Sequence, residues 1–168
     1  MHQAYFTACM ENADAINSAI IFEFKQAMNA GRFTGTHHFS GRYENLYIDR
    51  CYVPSLEPVL DRARELGADY LHCPQQRLVQ GFWFNCMEPG HVTLPHNHDE
   101  DDERLSGVYY LSVPAGSGDL RLHTGDSITR VQPLAGHYVF FAPDLVHEVS
   151  ENRSRDVRLS IGLNMGVA

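Results

Sequence analysis

The chain has 168 residues, enough for one domain with a substantial core and too few for two ordinary ones, and its 43% hydrophobic and 20% charged content is that of a soluble globular protein. A formal charge of −8 argues against nucleic acid as the main partner, because phosphate binding needs a basic surface. Met1-His2-Gln3-Ala4-Tyr5 lacks the basic and apolar regions of a secretory signal and no apolar run is long enough to span a bilayer, so the expectation is a cytoplasmic protein without a membrane partner.

From Asn12 to Ala30 the apolar residues Ile16, Ala19, Ile20, Phe24, Ala27 and Met28 recur at helical spacing, with Gly31 as a stop. Residues 32–54 have no clean period and are expected to be irregular, with a short strand around Leu46 to Ile48. Ser55-Leu56-Glu57-Pro58 resembles a helix start, with Ser55 as N-cap and Gly67 as the stop. Cys9, Cys51, Cys73 and Cys86 are scattered without a C-x-x-C pair, which removes support for a zinc knuckle and points to reduced thiols.

From Gln76 onward the texture changes to short aromatic and β-branched runs separated by Gly, Pro and Asp. Eight strands are expected: Leu78 to Met87, Val92 to His98, Leu105 to Val113, Asp119 to His123, Ser127 to Val131, His137 to Phe141, His147 to Ser150 and Asp156 to Leu163. Residues 1–75 then form a helical support and residues 76–168 an antiparallel sandwich or barrel, together a mainly β (α+β) single domain over 1–168. The run Asp99-Glu100-Asp101-Asp102-Glu103 reads either as a solvated loop between strands or as a mouth that attracts a cationic substrate.

Side chains two apart on a strand point the same way, so His96 and His98 can share one ion. His147 follows at the start of another strand, a separation that closes in an antiparallel barrel but not in a zinc-finger loop. The bland alternative is a chance cluster of surface histidines in a chain containing ten. In the last strand Val157, Leu159, Ile161 and Leu163 form one face, and Arg158, Ser160, Gly162 and Asn164 the other. That second face places a guanidinium and a hydroxyl inside the barrel, paired either with an internal Asp or Glu or with a bound carboxylate.

The segments Gly81-Phe82-Trp83-Phe84-Asn85, Pro95-His96-Asn97-His98, Leu105-Ser106-Gly107-Val108-Tyr109-Tyr110-Leu111, Gly136 to His147 and Arg158-x-Ser160 resemble the iron(II)/2-oxoglutarate-dependent dioxygenases. The likeness covers about residues 78–165 and is strongest to a small group of bacterial and phage oxygenases carrying H-x-H and L-S-G-V-Y-Y-L. It implies a double-stranded β-helix (jelly-roll or cupin-like barrel) with the N-terminal helices packed on one sheet. The implied cofactors are Fe(II) and 2-oxoglutarate, with dioxygen and a small-molecule or peptide substrate as partners. The implied reaction is a hydroxylation coupled to conversion of 2-oxoglutarate to succinate and CO2. Carried over by residue, His96 and His147 match the ligand histidines, and Arg158 with Ser160 matches the pair for the distal carboxylate of 2-oxoglutarate. Tyr110 matches a cosubstrate-binding tyrosine, and Trp83 and Asn85 would line the same pocket, or else serve as core aromatic and strand polar residue.

One departure concerns the metal. Most of the wider family has H-x-D or H-x-E, whereas His98 stands at the third position here, leaving the site one negative charge short. The favoured set is His96, His98 and His147; the other reading takes Glu100 or Asp99 from the acidic run as a ligand. A cupin pattern is also approximated by Gly90, His96-x-His98 and Glu103, followed by Gly136 to His147. It implies a cupin-type dioxygenase, or a metal- or sugar-binding module, that needs no oxoacid.

Overall fold

The computed structural model describes residues 4–98 and 102–168. The first part of the chain forms β1 (Tyr5–Cys9), α1 (Ala13–Asn29), β2 (Thr34–Phe39), β3 (Arg42–Tyr47) and α2 (Glu57–Tyr70). The strand-rich part forms β4 (Leu78–Met87), β5 (Thr93–His96), β6 (Glu103–Ser112), β7 (Leu120–Thr124), β8 (Ser127–Val131), β9 (His137–Phe141), β10 (His147–Val149) and β11 (Arg158–Val167). All eight strands expected after residue 76 are present.

These strands make two antiparallel sheets, one of seven strands in the order β1-β9-β6-β11-β4-β3-β2 and one of four in the order β5-β10-β7-β8. Tyr110, Val139 and Phe141 of the large sheet pack with Leu120, Leu122 and Val131 of the small one in an inter-sheet core. On its other face the large sheet buries Phe84, Tyr109, Phe140, Leu159, Ile161 and Leu163 against Ile20, Phe24, Leu56, Val59 and Leu60 from the helical region. This is the double-stranded β-helix with helices on one sheet. Among the described residues no helix is long and apolar enough to cross a membrane.

Three sequence expectations change in the N-terminal part. Residues 32–54 are not irregular: β2 and β3 pair as a hairpin, and Leu46 of β3 pairs with Phe84 of β4 to extend the large sheet. Within the hairpin His37, at φ 55°, breaks the ladder opposite Glu44 between the Thr36–Asn45 and His38–Tyr43 pairs without shifting the register. The support is also not purely helical, since β1 pairs along β9. Finally, Gly67 does not stop α2. It lies inside the helix, where the Met165 thioether packs against it in the space a Cβ would take, and Ser55 binds Glu23 through its amide (3.0 Å) and hydroxyl (2.6 Å) rather than capping α2.

A buried asparagine joins α1 to the sheet. Asn17, 5% exposed, donates to the carbonyls of Tyr110 (3.3 Å) and Leu111 (3.1 Å) and accepts from the Tyr109 hydroxyl (2.7 Å). Removing it takes a partner from the buried Tyr109 hydroxyl and a donor from the Leu111 carbonyl, while the Tyr110 carbonyl keeps its bond from the Gly136 amide (2.8 Å). Asn17→Ala is therefore expected to cost about 3 kcal/mol, read by chemical denaturation.

Candidate active site

The two sheets bring the three histidines together at one end of the space between them. His96 closes β5 and His147 opens β10, and the two are direct cross-strand partners with ring centroids 4.3 Å apart. β5 ends at His96, so His98 lies beyond the strand instead of on it. Its place is held by its backbone amide, which donates to the Pro143 carbonyl at 2.9 Å. Its ring is 5.1 Å from that of His96 and 5.2 Å from that of His147. One potential ligand atom from each histidine lies within 4.8 Å of the others.

Local hydrogen bonds orient two of these rings. His96 Nδ1 lies 2.8 Å from the Leu94 carbonyl and His147 Nδ1 2.9 Å from the Leu145 carbonyl. A carbonyl only accepts, so each Nδ1 carries the proton and each Nε2 keeps its lone pair. Burial, followed by the proximity of His96, lowers the His98 pKa to about 4 and that of His147 to about 3. Both imidazoles are thus neutral near pH 7, the form that can bind a metal.

The anion pole is deeper. Arg158, at the start of β11, is 2% exposed, and its Nη1 donates to the carbonyls of Ser117 (3.3 Å) and Gly118 (2.8 Å). Among the described residues neither its Nε nor the buried Tyr110 hydroxyl makes a hydrogen bond of good geometry, although the two groups lie close enough to interact with each other. The guanidinium carbon stands 5.2 Å from the Tyr110 ring centroid. Among the described residues no carboxylate forms a salt bridge with Arg158. The close internal ion pair considered from the sequence is absent there: Asp119 acts on Arg158 only from beyond salt-bridge distance, and a buried cation without a carboxylate in contact favours an anionic ligand.

Trp83, Asn85, His96, His98, Tyr110, His147, Arg158 and Ser160 all line one cavity. The pairing of β4 with β11 sets Ser160 beside Asn85 and Gly162 beside Trp83. Trp83 spreads across β11 because residue 162 has no side chain: a Cβ there would meet the indole at 2.3 Å. Its ring centroid is 5.7 Å from that of His98. The Asn85 amide donates to the Glu44 carbonyl at 2.8 Å and so ties the cavity wall to β3.

The sequence reading missed Glu44, a cavity-lining carboxylate only 8% exposed. Arg42 Nη2 donates to it and also to the Val92 carbonyl at 2.7 Å, while the Thr93 hydroxyl donates to its other oxygen. Its signal was the pair Arg42-x-Glu44, with the same two-residue spacing that marked His96 and His98, just ahead of the short strand expected around Leu46 to Ile48. Asp99 and Glu100, considered as iron ligands, lie outside the described residues. Glu103, the cupin ligand candidate, is on β6 and accepts from Asn164 Nδ2; it lines an outer groove and not the histidine cavity.

Three converging imidazoles suit Fe(II), and a buried guanidinium with no carboxylate in contact, beside the Tyr110 hydroxyl, suits the carboxylate of a small diacid. The donor set therefore fits both groups. A jelly roll with three histidines that could hold a metal, and a buried cation deeper in the same cavity, has the donors for a metal and an oxoacid. Residues 82–166 match the family model of the 2OG-Fe(II) oxygenase superfamily, and the chain belongs to that superfamily.

The fold agrees. A prolyl-4-hydroxylase from Pseudomonas putida is 21% identical with a TM-score of 0.78, covering 99% of this chain and 94% of that one. A prolyl hydroxylase from Trichoplax adhaerens, solved with a hypoxia-inducible-factor peptide fragment, is 12% identical with a TM-score of 0.76 over 99% and 84% of the two chains. The epimerase SnoN, solved with Fe3+, α-ketoglutarate and nogalamycin RO, is 15% identical with a TM-score of 0.74 over 98% and 79%. No curated protein matches the sequence. Nothing in these matches favours the cupin alternative, and the protein is an Fe(II)- and 2-oxoglutarate-dependent oxygenase.

Proposed function

We propose that the enzyme, acting as a single domain over residues 1–168 in the cytoplasm, hydroxylates a small-molecule or peptide substrate and uses no nucleic acid or membrane partner. His96, His98 and His147 hold Fe(II) through their free ring nitrogens, and Arg158 with Ser160 binds the distal carboxylate of 2-oxoglutarate. The observation that carries this reading is the buried Arg158, unpaired with any described carboxylate, in the cavity that the histidines also line. When bound, Fe(II) and 2-oxoglutarate supply the activation of dioxygen, coupling loss of CO2 and formation of succinate to oxidation of the substrate.

The chain's own residues bind, orient and exclude water. Arg158 fixes one end of the cosubstrate by charge-assisted hydrogen bonds, and the Tyr110 hydroxyl donates to the same carboxylate. Burial keeps that hydroxyl protonated, its pKa pushed up to about 12. Asn85 holds the wall beside Ser160, and the Trp83 indole shields the side of the site next to His98.

The test is anaerobic reconstitution with Fe(II) and 2-oxoglutarate. A visible charge-transfer band, followed by succinate formation when dioxygen is admitted, is expected. Metal binding with no spectral response to 2-oxoglutarate would overturn the assignment.

A further inference from the structure

The cavity-facing side of the large sheet continues past the site to its open end. Along β4 and β11 the paired rows are Arg158 with Met87, Ser160 with Asn85, Gly162 with Trp83, Asn164 with Gly81 and Gly166 with Val79. These are alternate residues on both strands and so share one face. The first three rows line the cavity; the last two, together with Trp83, line a wider groove. Trp83 lines both and its ring centroid lies 5.7 Å from that of His98, so the groove adjoins the histidine cavity.

Glycines keep the floor of this groove low. A Cβ at Gly81 would meet nothing within 4 Å and would project into open space. At Gly166 a Cβ would lie 2.9 Å from the Asp102 carbonyl oxygen, so this glycine lets the chain entering β6 cross close over the end of β11. One wall is aromatic, formed by Tyr47, 41% exposed, and Trp83, with ring centroids 6.4 Å apart. The other carries Asp102 and Glu103. Arg50 is the basic residue of the lining, but it stacks over Phe82 at 5.5 Å and lies 3.5 Å from the Glu57 carboxylate. The groove therefore presents net negative charge beside aromatic faces.

We infer that this groove takes an extended peptide segment of the substrate bearing a lysine- or arginine-type cation. The inference rests on the proposed oxygenase site and adds its substrate class. The aliphatic stem of such a side chain packs on Tyr47 and Trp83 while its head group meets the exposed Asp102, Glu103 beside it being already engaged with Asn164. A peptide is favoured over a small amine by length. From Trp83 to Val79 the floor runs about 13 Å, the span of roughly four extended residues.

Trp83 is the single tryptophan of the chain, so its fluorescence reports on the groove. The full-length enzyme, loaded anaerobically with Fe(II) and 2-oxoglutarate, is titrated with capped tetralysine, capped tetraglutamate and spermidine. Tetralysine is expected to give a saturable change, about 10-fold or more tighter than tetraglutamate and weakened by salt. The same response should weaken by about 10-fold or more in Gly81→Leu, which fills the floor, and in Asp102→Lys, which reverses the wall charge. Both substitutions fall where there is open space, and circular dichroism checks that each variant folds. Equal responses to the two peptides, spermidine binding as tightly as tetralysine, or indifference to both substitutions would overturn the inference. The 2-oxoglutarate band of the wild-type enzyme separates the two failures. A band without lysine preference sinks the groove alone, whereas absence of the band sinks the oxygenase site on which it rests.

Discussion

Arg158→Met is expected to remove 2-oxoglutarate binding while leaving the protein folded. Two charge-assisted hydrogen bonds to a carboxylate are lost, worth about 3 kcal/mol or more, so the affinity for 2-oxoglutarate falls by roughly 100-fold or greater. The charge-transfer band disappears at cosubstrate concentrations that saturate the wild type. Stability without cosubstrate responds differently. The Ser117 and Gly118 carbonyls lose a donor, at about 1 kcal/mol each. Against this, a buried cation with no carboxylate in contact carries a desolvation cost on the order of several kcal/mol that an apolar side chain of similar size does not. The melting temperature should hold level or rise in the absence of 2-oxoglutarate, and the thermal shift produced by adding it should vanish. A purely structural arginine would give the opposite pattern: a clear loss of stability with the response to 2-oxoglutarate retained in whatever protein folds.

The second large effect concerns the metal. His147→Ala and His96→Ala each delete one member of the converging trio. Bound iron, measured on protein reconstituted anaerobically with Fe(II), should fall by more than the roughly 10–100-fold that follows loss of a mere outer partner. Succinate formation should fall with it. His98→Ala and Glu100→Gln then distinguish the two readings of the third ligand. With three histidines at the iron, His98→Ala loses metal and Glu100→Gln keeps it; the reverse pair of results would assign the ligand to Glu100. His98→Asp adds a further check, because it recreates the two-histidine, one-carboxylate set and should retain iron where His98→Ala does not.

How much of this was legible depended on whether residue pattern and local environment agreed. β4, β8 and β9 run over the same residues as their sequence patterns, because each is a short aromatic or β-branched run bounded by a turn. Alternation in β11 also sorted its side chains correctly: Arg158, Ser160 and Gly162 line the cavity, while Leu159, Ile161 and Leu163 join the helix-facing core. Val157 lies ahead of the strand and is exposed, since β11 begins at Arg158.

The rest escaped for physical reasons. The β2–β3 hairpin meets the sheet through a single pairing at Leu46 and Phe84, so little of it is buried and no strong period is imposed on it. Gly67 carried a stop signal, but its role is set by Met165, a residue far along the chain. His98 fell within two residues of His96, yet the strand ends before it, and convergence comes from the backbone bond to Pro143. Glu44 became visible only when the hairpin brought it against Thr93.

The strand carrying His96 is itself precariously attached. β5 has four residues, lies at the margin of the small sheet, contains Pro95, which has no amide hydrogen to give, and joins β10 across an irregular register. Its pairing with β10 is nonetheless where His96 faces His147. An ion shared by those imidazoles acts as a rivet through the sheet's weakest seam, joining two strands that few backbone bonds hold. Chelation should therefore loosen architecture as well as stop turnover, with amide hydrogen exchange accelerating first at Thr93 and His96 while the helix-backed sheet stays protected.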